Sequence, residues 1–285
     1  MAESVFDTIS AAYYELTAAE KKTADFIMAN RERSQYLSIA ELAEYSGVAE
    51  ATVSRFCRRL GYKGFNAFKL AIANAAYSQA PDAGVLSGPV AANDSVEEMC
   101  QKLFSADHAA MQQTLELIQG KTISAAADIL YAADKVLCMG QGGSMLMAEE
   151  ANHLFSTVSG KFFAVSDSHL QMIAAVNLRP GDALLFFSYS GATADMMDTL
   201  KTARAQGARI LLITRFPKAP GAALADLVLP CGSNESPLQL GSVPAKIAQL
   251  FLIDVLFSEF CRRDLERCRR KREQIAAALE TKHLQ

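Results

Sequence analysis

Residues 183–193, ALLFFSYSGAT, constrain the fold of this chain more than any other stretch. Residues 183–187 are apolar without a polar break, which is the pattern of a strand buried on both faces of a parallel sheet. The run stops at Ser188, Tyr189, Ser190, Gly191, Ala192 and Thr193. Residues 194–206 then carry Met196, Met197, Leu200 and Ala203 at helical spacing. A strand, a hydroxyl-rich turn and a helix start therefore follow one another. Such a turn offers an anion backbone N–H groups, the positive end of a helix and the hydroxyls of Ser188, Ser190 and Thr193, while Gly191 lets the backbone come close. A phosphate suits those donors. The same residues suit an ordinary junction in which Ser and Thr cap the helix and Gly makes the turn, so composition alone leaves both readings open.

The surrounding pattern sets this stretch in a sheet. Short apolar segments at 135–139, 161–165, 183–187, 209–213 and 226–229 alternate with helical segments such as 145–156, 169–176 and 194–206. That alternation predicts a five-stranded parallel sheet flanked by helices, preceded by a helical stretch over 95–133. Ligands of such sheets bind beyond the carboxyl ends of the strands, near a reversal of strand order. A second loop, Gly140-Gln141-Gly142-Gly143-Ser144, falls at such an end. It contains G-x-G but is not a dinucleotide fingerprint, because Met145 stands where the third Gly belongs and no acid ends the next strand.

The N-terminal part reads as helices only. Thr17 with Glu20, and Ser38 with Glu41, have the spacing of capping boxes. The helix opened by Ser38 ends at Ser46-Gly47, and residues 50–60 form another helix with Val53, Phe56, Cys57 and Leu60 on one face. Helix, Gly-containing turn and helix make a helix-turn-helix. Between residues 46 and 70 stand five basic residues (Arg55, Arg58, Arg59, Lys63, Lys69) and one acid, Glu50, although the whole chain of 285 residues carries a net charge of −3. Bulk charge therefore predicts no polyanion partner, and the local excess sits on the element that enters a major groove. Thr52, Ser54 and Arg55 are the candidates for base edges, and Arg58, Arg59 and Lys63 for phosphates.

Residues 81–94, PDAGVLSGPVAAND, hold two Pro and two Gly and read as a linker between domains 1–80 and 95–285. The six cysteines are scattered without metal-ligand or C-x-x-C spacing and read as reduced thiols, and no metal site is expected. The start of the chain lacks the layout of a signal peptide, and no apolar run approaches the roughly 18 residues of a membrane span, so the expected location is the cytoplasm.

Two resemblances sharpen these readings. The segment SIAELAEYSGVAEATVSRFCRRLGYKGFNAFKL, with LT-x-x-E before it, resembles the DNA-binding domain of the RpiR family of bacterial transcriptional regulators, in which residues 52–60 correspond to the recognition helix. Ala49 stands where that family often has Ser, which removes an N-cap. SYSGAT and GQGGS resemble the S-x-S-G-x-T and G-x-G-x-S loops of the sugar isomerase (SIS) domain. By that resemblance Gly143, Ser144, Ser188, Tyr189, Ser190, Gly191 and Thr193 line a phosphosugar site, and Glu235 lies near the sugar. The resemblance also implies a ligand-facing place for His169, and it leaves Ala245-Lys246 where the family usually has Ser-Arg. Lysine keeps the charge but lacks the bidentate fork.

The expectation is an all-α helix-turn-helix domain joined to an α/β SIS domain. Together they form a regulator that binds double-stranded operator DNA as a homodimer or homotetramer, takes a sugar phosphate as effector, has no cofactor or catalytic residue and touches no membrane. Two alternatives stay open. One is an aldose-ketose isomerase using Glu235 or His169 as base, and the other is a DNA-binding protein whose SIS domain only dimerises.

Overall fold

A computed structural model of the chain describes residues 4–78, 85–87, 90–238 and 242–280. Its contacts divide it into two units, Met1–Ala106 with Asn234–Ser242, and Asp107–Ser233 with Val243–Gln285. Of the expected linker, residues 81–84 and 88–89 lie outside the described residues. Within it Val85–Ser87 (β1) pairs antiparallel with Val90–Ala91 (β2).

The first unit opens with α1 (Val5–Ala12), a 3-10 turn (Tyr13–Glu15), α2 (Ala18–Ala29) and α3 (Arg31–Ser34). Then come α4 (Ile39–Ser46), α5 (Glu50–Arg59) and α6 (Phe65–Ser78). Both capping boxes form. Glu20 Oε2 accepts from Thr17 N at 2.9 Å while the Thr17 hydroxyl accepts from Glu20 N at 3.4 Å. Ser38 and Glu41 repeat the exchange at 2.8 and 3.1 Å. Each satisfies two N–H groups that a helix start leaves without partners, and each contributes about 1 kcal/mol. Gly47 closes α4 in the left-handed region at φ 63°. Ala49, at the start of α5, makes no side-chain cap, as its missing hydroxyl predicts. Val53, Phe56 and Cys57 are fully buried and join Ile9, Ile27, Leu42, Phe68 and Ile72 in one core, which fixes α5 by its apolar face and leaves the opposite face outward.

In the second unit the chain follows α7 (Val96–Leu117, entering this unit at Asp107), α8 (Gly120–Ala132), β3 (Val136–Gly140), α9 (Gly143–Ser156) and β4 (Phe162–Ala164). It continues through α10 (Ser168–Val176), β5 (Ala183–Phe187), α11 (Ala194–Ala205), β6 (Arg209–Thr214), a 3-10 turn (Pro220–Leu224) and β7 (Leu227–Pro230), and ends with α12 (Val243–Cys261) and α13 (Leu265–Glu280). The single helical stretch expected over 95–133 is two helices, broken at Ile118 and Gln119 before Gly120. The sheet is parallel with order β4-β3-β5-β6-β7.

Period-2 alternation sorts the strands' side chains onto two faces. Val136, Cys138, Ala183, Leu185, Phe187, Leu211 and Ile213 pack under α8, α9 and α12. Leu137, Met139, Leu184, Phe186, Ile210 and Leu212 pack under α11 through Met196, Leu200 and Ala203. All five positions of β5 are buried because it is the middle strand and both its faces are covered. The polar tail forms α13, where Cys268 is the buried residue. No helix among the described residues is long and apolar enough to cross a membrane.

Candidate functional site

On α5 the structure turns Arg55, Arg58 and Arg59 outward, with Ser54 half-buried beside them and Lys63 exposed just beyond the helix. Thr52 differs, being 7% exposed. It stands four residues before Phe56 and so belongs to the edge of the buried stripe, and its hydroxyl accepts from Arg55 Nη2 at 3.3 Å. Arg59 is committed within the unit: Nη1 donates to the Glu15 carbonyl at 2.7 Å, and Nε lies 3.4 Å from the Glu20 carboxylate. Burial is the largest single influence on Glu20 and works against its charge. The hydrogen bonds from Thr17 and the charges of Arg59 and Arg55 outweigh it and hold the carboxyl below its ordinary range. Arg58 and Lys63 make no ion pair among the described residues, which leaves them the more available cations of this face.

In the second unit the sheet register decides which loops meet. Gly140 is paired with Phe187, so β3 and β5 end side by side, and the chain turns from β3 to β4 on one side and to β5 on the other. The GQGGS and SYSGAT loops therefore flank the reversal of strand order, each leading into a helix N-terminus, α9 and α11. Thr193 Oγ1 donates to Gln141 Oε1 at 3.2 Å, joining the loops directly.

Two glycines set how closely these loops sit. A Cβ on Gly140 would lie 2.5 Å from the Ser144 carbonyl oxygen, so the first turn of α9 rests against the bare backbone of the strand end. Gly191 has φ 60°, and a Cβ there would meet the Ala219 Cβ at 2.7 Å and Thr214 Oγ1 at 2.9 Å. The SYSGAT turn is braced from β6, where the buried Thr214 hydroxyl donates to the Tyr189 carbonyl at 3.1 Å and Arg215 N donates to the same oxygen at 3.1 Å.

The hydroxyls divide their tasks. Ser188 is 6% exposed, and its oxygen accepts from Gly191 N at 3.1 Å, which shapes the turn. Ser190 is exposed and accepts from Ala192 N at 3.4 Å. Thr193 occupies the N-cap position of α11 but makes no cap bond, and its hydroxyl goes to Gln141 instead. Gly143 and Ser144 open α9 half-buried. The Tyr189 hydroxyl donates to the Ser233 carbonyl at 3.2 Å, and Arg215 Nε donates to that carbonyl at 2.9 Å. Helix ends, hydroxyls and tightly packed glycines thus form a cradle whose donors are of the kind that suit an anion.

The remaining expected residues have the following surroundings. Glu235 is 9% exposed and belongs to Asn234–Ser242, which the structure groups with the first unit, and its Oε1 accepts from Ser242 N at 2.6 Å. In that unit the Ser236 hydroxyl donates to Gln35 Oε1 at 2.9 Å. His169 is exposed in the first turn of α10, behind its N-cap Asp167. Ala245 is buried and Lys246 half-buried in α12. Burial pushes the thiols of Cys57, Cys138, Cys231 and Cys261 up to about 12, which leaves them protonated and unreactive.

Three residues without an assigned role in the sequence reading also shape the cradle. Gln171 is fully buried and donates through Nε2 to the carbonyls of Gly140 and Val165, each at 2.8 Å, holding the first loop from behind. Arg215 follows directly on β6, a position beyond a strand end that the sequence does mark. Gln141 links the two loops.

Comparison with known proteins agrees with both units. The family model of the rpiR-family helix-turn-helix domain matches residues 4–79, and that of the SIS domain matches residues 129–259. An HTH-type transcriptional regulator of Caldanaerobacter subterraneus is 34% identical over 241 residues, covering 85% of this chain and 84% of that protein. The HTH-type transcriptional regulator HexR of Pseudomonas aeruginosa is 30% identical over 254 residues, covering 89% and 88%. Among solved structures, Vibrio vulnificus NanR complexed with ManNAc-6P superimposes with a TM-score of 0.85 at 23% identity, over 99% of this chain and 100% of that one, a likeness of fold.

Proposed function

The chain belongs to the rpiR family of helix-turn-helix transcriptional regulators that carry a SIS domain, and on that premise we propose that it binds operator DNA under the control of a sugar phosphate. The reading places the DNA-binding domain at 1–80, a linker at 81–94 and the effector domain at 95–285. Ser54 and Arg55 read base edges, with Thr52 fixing the arginine; Arg58 and Lys63 hold backbone phosphates, and Arg59 does so only to the extent that it leaves Glu20. In the effector domain, the amides and hydroxyls of Gly143, Ser144, Ser190, Gly191 and Thr193 receive the phosphate, with Ser188 and Tyr189 shaping the turn. Two or four copies pair their recognition helices across a symmetric site. The effector leaves chemically unchanged, so no catalytic residue is assigned.

The observation that carries this reading is the register that sets two hydroxyl- and amide-rich helix starts side by side at the strand-order reversal. The bound ligand of NanR, ManNAc-6P, belongs to the class of effector proposed here. A thermal-shift screen of hexose, pentose and amino-sugar phosphates against the full chain tests it. A ligand held only by the folded state at a hundredfold excess over its Kd adds about 2.7 kcal/mol, a Tm rise of several degrees. At least one sugar phosphate is expected to give that rise while its unphosphorylated sugar does not. A panel with no response from any phosphate would remove the effector reading.

A further inference from the structure

In the second unit the helix α10 has an apolar outer face. No Asp, Glu, Lys or Arg stands between Ser168 and Val176. The inner side of the helix is fixed: the buried Gln171 donates to the Gly140 and Val165 carbonyls, and the N-cap Asp167 accepts from Leu170 N at 2.9 Å. On the opposite side Leu170, Ile173 and Val176 recur at a spacing of three, and they are 53–57% exposed. Phe163 on the edge strand β4 is 49% exposed, and alternation turns it away from the core that holds Phe162, toward the sheet face that α10 and α11 cover. By contrast α11, which packs beside α10, meets solvent with charge, its Asp195, Asp198, Lys201 and Arg204 all exposed. Four half-exposed side chains of this size amount to about 300 Å² of apolar surface, the scale at which a patch marks an interaction site.

We propose that a second copy of the chain docks on this face, the two α10 helices packing antiparallel about a two-fold axis at Ile173. The proposal rests on the reading above that copies pair on DNA, and it gives that pairing its surface. The sequence is self-complementary about such an axis. Leu170 and Val176 stand three residues either side of Ile173, so each meets the other in the partner while Ile173 meets itself. Asp167 and Arg179 stand six residues either side, both exposed, so the acidic helix start of each copy faces the basic helix end of the other. Arg179 makes no side-chain ion pair among the described residues, and antiparallel packing supplies one. Between those ends the face carries no charge to repel its own copy. Gln171 holds the helix in place before docking, so little ordering is required of it.

Sedimentation equilibrium of the full chain tests it, comparing wild type with Ile173→Glu and Ile173→Lys, each alone and the two mixed in equal amounts. On a two-fold axis either variant sets two like charges against each other in a contact stripped of water. Wild type is expected to self-associate. Each variant alone is expected to raise the dissociation constant of one association step by about tenfold or more, whether dimer to monomer or tetramer to dimer. The mixture is expected to recover most of the lost association, because Glu then faces Lys. Wild-type association in both variants would overturn the proposal and leave the pairing of copies to another face. A mixture no better than its components would overturn it by placing Ile173 off the axis. Should either variant lose its cooperative melt, Leu170→Glu decides by the same measure, and unchanged association there overturns the proposal equally. A wild-type chain that stays monomeric would remove the paired reading of the operator and this inference with it.

Discussion

Gly140→Ala is expected to weaken sugar-phosphate binding at least a hundredfold, to the point where the thermal shift disappears, and to destabilise the effector domain. The added methyl would sit 2.5 Å from the Ser144 carbonyl oxygen and 2.7 Å from its carbonyl carbon, both backbone atoms that cannot rotate away. Relief requires the start of α9 to move by roughly an ångström off the end of β3, in an interior packed as densely as an organic crystal. Donors at the helix start then stand too far from an anion still held by the second loop, and hydrogen bonds stretched by that amount lose most of their strength. Gly160→Ala is the control, since a Cβ there meets nothing within 4 Å. It is expected to bind as wild type does. Isothermal titration of both variants checks the pair, and undiminished affinity in Gly140→Ala would show that the close approach of helix and strand does not matter to binding.

Arg55→Ala is expected to cost about 1–3 kcal/mol on the operator, roughly fivefold to 150-fold, and to relax sequence preference at one position of each half-site. Arg55 is exposed on α5 and steadied by Thr52, as a base-reading arginine requires. Arg58→Ala is expected to weaken binding evenly across sequences and to lower the salt dependence by about one phosphate contact. Fluorescence anisotropy on a duplex selected from a random pool, at two salt concentrations, separates the two effects. If Arg55→Ala kept both the affinity and the selectivity of wild type, α5 would not be the reading helix.

Much of the architecture was legible because it is written in local pattern. The apolar run 183–187 lies in the middle of the sheet as its unbroken hydrophobicity required, and both capping boxes formed at their expected residues. The five strands fall within a residue or two of the positions that alternation predicted. What was not legible depends on long-range pairing. Arg59 reads as one more basic residue of the recognition helix until the fold brings Glu20 beside it. That GQGGS and SYSGAT are neighbours was expected from their resemblance to the two SIS loops rather than from either stretch by itself, and strand order is what brings them together. Gln141 reads as filler in a G-x-G loop until the fold brings Thr193 of the second loop against its side chain. Thr52 is a different case. Its spacing of four from Phe56 was in the sequence and placed it at the edge of the buried face.

Control of DNA binding by the effector requires more than that both ligands bind. A sugar phosphate shifts operator affinity only if it favours one arrangement of the chain over another, and the coupling is reciprocal: the operator must change affinity for the sugar phosphate by the same factor. The most direct measurement is therefore the operator Kd of the full chain without ligand and at saturation with the sugar phosphate that gives the largest thermal shift. The account predicts a change of about fivefold to 150-fold, lost in Gly140→Ala. The same Kd with and without saturating ligand, in a chain that demonstrably binds both, would contradict it.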